Sequence, residues 1–421
     1  MIAAPPYRSP VSDASPGPAP HQDQPPDPPG QGRSSGKPRA RTSARRFQTR
    51  RQHLVGWPLA GMLVLGGCGL VMVGVTTSMV GVVPALIGAF VALVPVAIVV
   101  STVMWIDRWE PEPTLLLISA FLWGVGGATA YALMLNHATG AVTDSILGPE
   151  GQVVSTVVGG PLVEESAKGL FVVVLWFRRR SEFNGLVDGF VYAALVAAGF
   201  AFTENILYFG SAAEKGAGIT ALALVFRGLF TPFSHPLFSS MFGFGIGMAS
   251  RTRSPRGRLA WALSGFAVAV VLHGLWNYSA DSNGARFVNN YFLIMVPVFA
   301  GTVALVIWQR RREQRIIEVQ LPALRREGLV ASDEVVWLES LAARRGWIRG
   351  VRRAAGTRAA KAVRDYQIAV TELAFLQHRA TRVRTTSAVR RARRQRLIEE
   401  LQDARSTASG GSVLSELGGG D

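Results

Sequence analysis

Cysteine is nearly absent from this chain of 421 residues: the single Cys68 lies in an apolar run. That excludes a disulfide framework and a thiolate zinc site. Histidine is scarce, with six residues, and no His-Glu-x-x-His occurs, so the helix signature of soluble zinc proteases is missing. Charge is thin as well. Charged residues make up 17% of the chain against 49% hydrophobic residues, too apolar a balance for a soluble enzyme with a charged surface. Residues 57–308 hold twelve basic and twelve acidic side chains, whereas residues 1–56 hold nine against three and residues 309–421 twenty-three against thirteen. The net charge of +16 therefore resides in the tails. Basic tails flanking hydrophobic spans obey the positive-inside rule and meet anionic lipid headgroups, so a lipid bilayer partner is expected and nucleic acid is not.

The chain does have apolar runs long enough to cross a bilayer, which takes about 20 helical residues for ~30 Å of hydrocarbon. They fall near 57–78, 80–105, 114–136, 153–177, 186–209, 231–250, 259–280 and 287–308. Runs of this length satisfy their backbone groups as helices, so the expected fold is all-α: a polytopic membrane helix bundle with about eight transmembrane helices. Cationic clusters follow every second span, as Arg108, Arg178 to Arg180, Arg251 to Arg258 and Arg310 to Arg312. The alternation predicts a multi-pass membrane protein with both termini cytoplasmic. Residues 1–56 read as a disordered basic cytoplasmic tail, residues 57–308 as the membrane domain, residues 309–405 as a cytoplasmic region of two to four amphipathic helices, and residues 406–421 as a disordered Gly/Ser-rich tail. The amphipathic helices are expected to lie on the inner leaflet or to pack on each other. Residues 106–113 read as an interfacial turn, and 217–250, with Arg227, Pro232 and Pro236, as an outer helix, a break and then the sixth span.

Ionisable groups inside apolar spans cost several kcal/mol each, so they are functional candidates by default. The fourth span carries Glu164, Glu165 and Lys168, the fifth Phe200 and Glu204, the sixth opens at His235, and the seventh carries His273 and Asn277. Glu164 and Lys168 are four apart on one helix face and can neutralise each other, leaving Glu165 unpaired. Antiparallel spans at ~1.5 Å per residue bring all of these groups into the outer half of the membrane, where they can line one cavity. Two imidazoles and a carboxylate, here His235, His273 and Glu204, form a donor set suited to zinc, and a further Glu can serve as base. Asn277, one turn after His273, can orient that imidazole or donate to a developing oxyanion. Hydrolysis of peptide bonds is chemistry these residue types support. The competing class is a proton- or ion-coupled transporter using the same cluster.

The four segments together resemble the PrsW family of intramembrane proteases, a branch of the group that includes CAAX- and bacteriocin-processing membrane proteases. The family pattern of Glu-Glu-x-x-Lys, Phe-x-x-x-Glu, a His in a later span and a second His is met by Glu164, Glu165 and Lys168, by Phe200 and Glu204, by His235, and by His273 with Asn277. The CAAX branch has His where this chain has Glu204. The resemblance covers roughly residues 100–300 and implies an endopeptidase in the plasma membrane, metal-dependent or glutamate-based, acting on a membrane-anchored protein substrate. It also implies a part in regulated intramembrane proteolysis through an anti-sigma factor. It does not reach the C-terminal region.

Overall fold

The computed structural model describes residues 66–109, 111–179, 183, 185–280, 284–380 and 387–409. The expected N-terminal tail, residues 57–65 of the first span and residues 410–421 of the last tail lie outside them. Among the described residues the regular structure is helical throughout.

Leu, Val, Ile and Ala fill the early helices, and with no water to accept hydrogen bonds their backbones close on themselves. Helix α1, Gly66–Val80, stands where the first span is expected. It is followed by α2, Val82–Ile106. The third and fourth expected spans form one continuous helical run, Thr114–Arg178, that folds back on itself. Its first limb is α3 (Thr114–Leu122), a π-helical turn (Trp123–Ala128) and α4 (Thr129–Leu147). Gly148, at φ 60° and ψ −135°, reverses the chain in a conformation that L side chains rarely adopt. The second limb is α5 (Gly151–Val154), a π-helical turn (Ser155–Gly159) and α6 (Gly160–Arg178).

Helix α7, Leu186–Glu214, is the axis of the bundle: 78% of its apolar window is buried, against 11% to 33% for the other long apolar stretches. It packs chiefly on α2 and on α9, Ser234–Arg251. The approach is at backbone distance. A Cβ on Gly189 of α7 would lie 2.0 Å from the Gly243 carbonyl oxygen of α9, and one on Gly124 would lie 2.0 Å from that of Val196. Without a hydrophobic force between helices in lipid, such small-residue contacts supply the close packing. Between α7 and α9, α8 (Ala217–Ala223) and a π-helical turn (Leu224–Phe230) end in a break before Ser234, as the prolines led one to expect. Helix α10, Pro255–Ala280, follows.

Six helical stretches among the described residues are long and apolar enough to cross a membrane. Since one of them doubles back, the bundle agrees with the polytopic all-α expectation.

The last stretch crosses the expected boundary at residue 308 without a break. Helix α11 (Gly284–Asn290) and a π-helical turn (Tyr291–Met295) lead into α12 (Val296–Arg326). Then come α13 (Glu334–Leu338), α14 (Leu341–Ala380, kinked at Gly356) and α15 (Ser387–Ser409). These helices pack on each other around Ile317, Leu321, Leu324, Leu338, Leu373 and Leu401. The composition placed the start of the last tail at 406, but α15 continues to Ser409 because Ala408 is buried in this core. Trp109, from the turn after α2, is buried in the same core, so that turn is covered by the C-terminal helices. The turn is closed internally: the Glu112 amide donates to Asp107 Oδ2 (3.0 Å) and the Tyr192 hydroxyl donates to Glu112 Oε2 (2.8 Å).

Candidate active site

On α6, residues 164, 165 and 168 lie on neighbouring helical positions, so both carboxylates reach one ammonium. Lys168 Nζ is 3.2 Å from Glu164 Oε2 and 3.0 Å from Glu165 Oε1. Glu165 is therefore paired, contrary to the simple i,i+4 expectation, because an i,i+3 spacing also closes on the lysine. Glu165 is 1% exposed and accepts two further hydrogen bonds, from Ser239 Oγ at 2.7 Å and His273 Nδ1 at 3.0 Å. Both partners come from other helices, α9 and α10.

His235 sits in the first turn of α9, immediately after the break. Its Nδ1 is 3.2 Å from Lys168 Nζ and its Nε2 is 2.9 Å from Glu204 Oε2 on α7. Glu204 also accepts from Arg227 Nη2 at 2.6 Å, and Arg227 Nε donates to Asn205 Oδ1 at 2.7 Å. Phe200, one turn before Glu204, lies beneath the Lys168 ammonium at 4.0 Å and beside the His235 ring at 5.5 Å. The two imidazoles meet edge to face at 5.1 Å, and Phe238 stacks on His273 at 5.2 Å. The expected convergence of Glu164, Glu165, Lys168, Glu204, His235 and His273 is thus what the structure shows.

The hydrogen bonds assign the imidazole tautomers. An ammonium has only donors and a carboxylate only acceptors. His235 therefore accepts at Nδ1 and donates from Nε2 to Glu204, while His273 donates from Nδ1 to Glu165 and keeps a lone pair at Nε2, 3.7 Å from Glu164 Oε2. Ligand atoms of Glu164, His235 and His273 lie within 4.8 Å of one another, close enough to hold one metal ion. Glu204, expected as the third ligand, is outside that group among the described residues because it is engaged by Arg227 and His235. Glu164, Glu165 and Glu204 face Lys168 and Arg227, so one negative charge in this set stays uncompensated.

Asn277 does not meet His273. Its Nδ2 donates to the Thr156 carbonyl at 3.0 Å, and its side chain lines a polar pocket of ≈ 570 Å³ together with Asn136, Asp144, Gln152 and Glu164. Asn136 Nδ2 donates to Glu164 Oε1 at 3.4 Å. Glu164 is thus shared between the buried cluster and this pocket. An apolar pocket of ≈ 280 Å³ lies beside Phe238 and Trp276.

Sequence reasoning missed Ser239, Arg227 and Asn136 as members of the site. Ser239 is four residues after His235 on the same helix, and Arg227 is a charge inside an apolar run. Both positions carried signals that the rarity and spacing arguments could have used.

Fold and site define a polytopic membrane protein with a Glu/His centre buried inside its bundle. The model for the family described as PrsW family intramembrane metalloprotease matches residues 112–302, which contain every residue of this centre. Protease PrsW of Geobacillus kaustophilus is 32% identical over 172 residues, covering 41% of this chain and 70% of the relative. Protease PrsW of Oceanobacillus iheyensis is 31% identical over 159 residues (37% and 66%), and that of Bacillus subtilis 27% over 191 residues (45% and 79%). No solved structure matches. The chain belongs to the PrsW family of intramembrane metalloproteases. Its relatives are named as proteases, and transport finds no support among them.

Proposed function

We propose that this intramembrane protease hydrolyses peptide bonds of a membrane-anchored protein at Glu164, with His235 and His273 beside it. The observation that carries the reading is the position of Glu164: its carboxylate belongs to the buried cluster and also borders the polar pocket. Water and a peptide carbonyl can reach it there, while Glu165, saturated by Lys168, Ser239 and His273, holds His273 in place. A carboxylate so placed accepts a proton from attacking water. Glu204 does for His235 what Glu165 does for His273, fixing ring and tautomer. Asn277 and Asn136, across the pocket, are positioned to donate to a substrate carbonyl.

The donor set also fits zinc. His273 Nε2, the Glu164 carboxylate and, once Lys168 gives up its hydrogen bond, His235 Nδ1 form an N,N,O set with both histidines backed by carboxylates, the arrangement that raises ligand basicity. The uncompensated negative charge favours a cation. Glu164, His235 and His273 would hold it, and the ion would then supply, in place of Glu164 acting as base, an acidified water and a polarised carbonyl. The arginines at the ends of alternate spans support the reading that both termini are cytoplasmic.

The test is cleavage of a membrane-anchored reporter by the purified chain, followed by metal analysis. Wild type should cut, and Glu164→Gln and His273→Ala should not. Equal cutting by Glu164→Gln would overturn the assignment. Zinc that stays at wild-type stoichiometry in a His235→Ala, His273→Ala double variant would remove the ligand set.

A further inference from the structure

Away from the acidic centre, positive charge is concentrated where α2 and α12 leave the apolar bundle. The Arg310 guanidinium lies over the Trp105 ring at 3.8 Å, and that of Arg344 lies 5.1 Å from the Trp109 ring centre. Arg108 and Arg345 are close enough to Arg310 for their charges to oppose its own. Among the described residues, Glu313 offsets Arg310 in part, and Asp107 and Glu112 lie in the turn itself, where Asp107 accepts the Glu112 amide and Glu112 accepts the Tyr192 hydroxyl. Arginines from the turn, from α12 and from α14 thus stand beside Trp105 and Trp109.

The hydrogen-bond inventory points the same way. Arg344 is 6% exposed and spends Nε and Nη1 on the Leu338 and Gln367 carbonyls and the Thr371 hydroxyl. Its Nη2 is buried with no acceptor among the described residues, and so is Nη1 of Arg310. A buried guanidinium N–H without an acceptor is costly, and two of them beside further arginines call for an anion.

We propose that this cluster binds the phosphate of an anionic phospholipid headgroup. A guanidinium fork matches phosphate oxygens, and several forks around one anion add geometric selection to charge. A lipid is favoured over free phosphate by what borders the site. Trp105 is 45% exposed, and Ile307 (39%) and Trp308 (56%), just before Arg310 on α12, are exposed as well. Apolar and tryptophan side chains displayed on a bundle surface just short of a basic cluster mark the level where acyl chains give way to headgroups. The C-terminal helices thereby join the membrane domain around a lipid, since Arg108 and Arg310 come from the bundle's end and Arg344 and Arg345 from α14. This inference does not depend on the proteolytic reading.

The full chain in nanodiscs, of phosphatidylcholine alone or with phosphatidylglycerol, tests it by native mass spectrometry of retained lipid and by thermal unfolding. Wild type should retain phosphatidylglycerol and unfold at higher temperature in its presence. Arg310→Gln and Arg345→Gln should each weaken retention about fivefold, the equivalent of ~1 kcal/mol for one basic residue near an anionic surface. Both avoid Arg344, whose loss would disturb α14 itself. Arg352→Gln, an exposed control on the same helix, should retain lipid as wild type does. Equal loss in that control would show diffuse attraction and overturn the site. Equal stabilisation by inorganic phosphate in phosphatidylcholine nanodiscs would overturn the lipid assignment, as would indifference of wild type to phosphatidylglycerol.

Discussion

Lys168 in the membrane bundle and Arg344 in the C-terminal helices are both buried cations, and their surroundings differ in kind. Lys168 meets Glu164, Glu165 and His235, all titratable and drawn from two helices. The acceptors of Arg344 are two main-chain carbonyls and a threonine hydroxyl, all from the C-terminal helices. Burial without a carboxylate partner pushes Arg344 down to about 10, so it stays charged at neutral pH. A buried carboxylate of this region, Glu334, is engaged by the Ala331 amide, the Tyr366 hydroxyl and Arg405. One region gathers groups that can exchange protons and leaves a carboxylate open to a polar pocket; the other locks helices with fixed donors and acceptors. Buried charge therefore points to proton chemistry here only where its partners are titratable and a path to water exists.

The sharpest way to break that contrast is at the open carboxylate. Glu164→Gln keeps the shape and removes the base, so reporter cleavage should fall ~10²–10⁴-fold while the protein remains folded. Next in size, Leu373→Ala, at a site that is fully buried, should cost the C-terminal helices about 2–5 kcal/mol. Denaturant unfolding of that region checks this, and cleavage by the folded fraction should stay unchanged if the two interiors are as separate in function as in chemistry.

Glu204→Ala would free both His235 and Arg227. A loss of ~10–100-fold in activity or zinc affinity, as for a residue behind a ligand, is expected, and a smaller loss than for Glu164→Gln would confirm its positioning role. Gly189→Ala drives a methyl group into the Gly243 carbonyl and should cost ~1–3 kcal/mol of bundle stability, measured by thermal unfolding in detergent. The smallest effect belongs to Tyr366→Phe: removing one donor to Glu334 while Arg405 remains should cost ~1 kcal/mol and leave cleavage unaltered.

Much of the site was legible in the residue order. Glu, Lys and His are so expensive in hydrocarbon that their presence in four apolar spans singled them out before any contact was known. Spacing also put Glu164 and Lys168 on one face of α6, but it left Glu165 unpaired, whereas the folded helix closes Glu165 on the same lysine. Spacing could not say that Glu164, and not Glu204, would complete a metal-sized group with both imidazoles, because that depends on Arg227 being turned into the bundle by the π-helical turn before the break and engaging Glu204. Nor could it place Asn277, which lies one turn from His273 yet reaches across to Thr156 of the neighbouring limb. The C-terminal region was read correctly as helical. Amphipathic helices fit a lipid surface and a neighbour equally well, and only the structure shows a shared core with Trp109 in it.

The sequence by itself determined that this chain is helical, crosses a membrane repeatedly and carries a small set of ionisable groups there, since hydrophobic length and desolvation cost are local properties of a segment. Tertiary packing decided which carboxylate is open, which nitrogen of each imidazole carries the proton and where, among the described residues, two guanidinium N–H groups remain without acceptors. Those outcomes are set by distances of a few ångströms between segments far apart in the chain, which no single segment encodes.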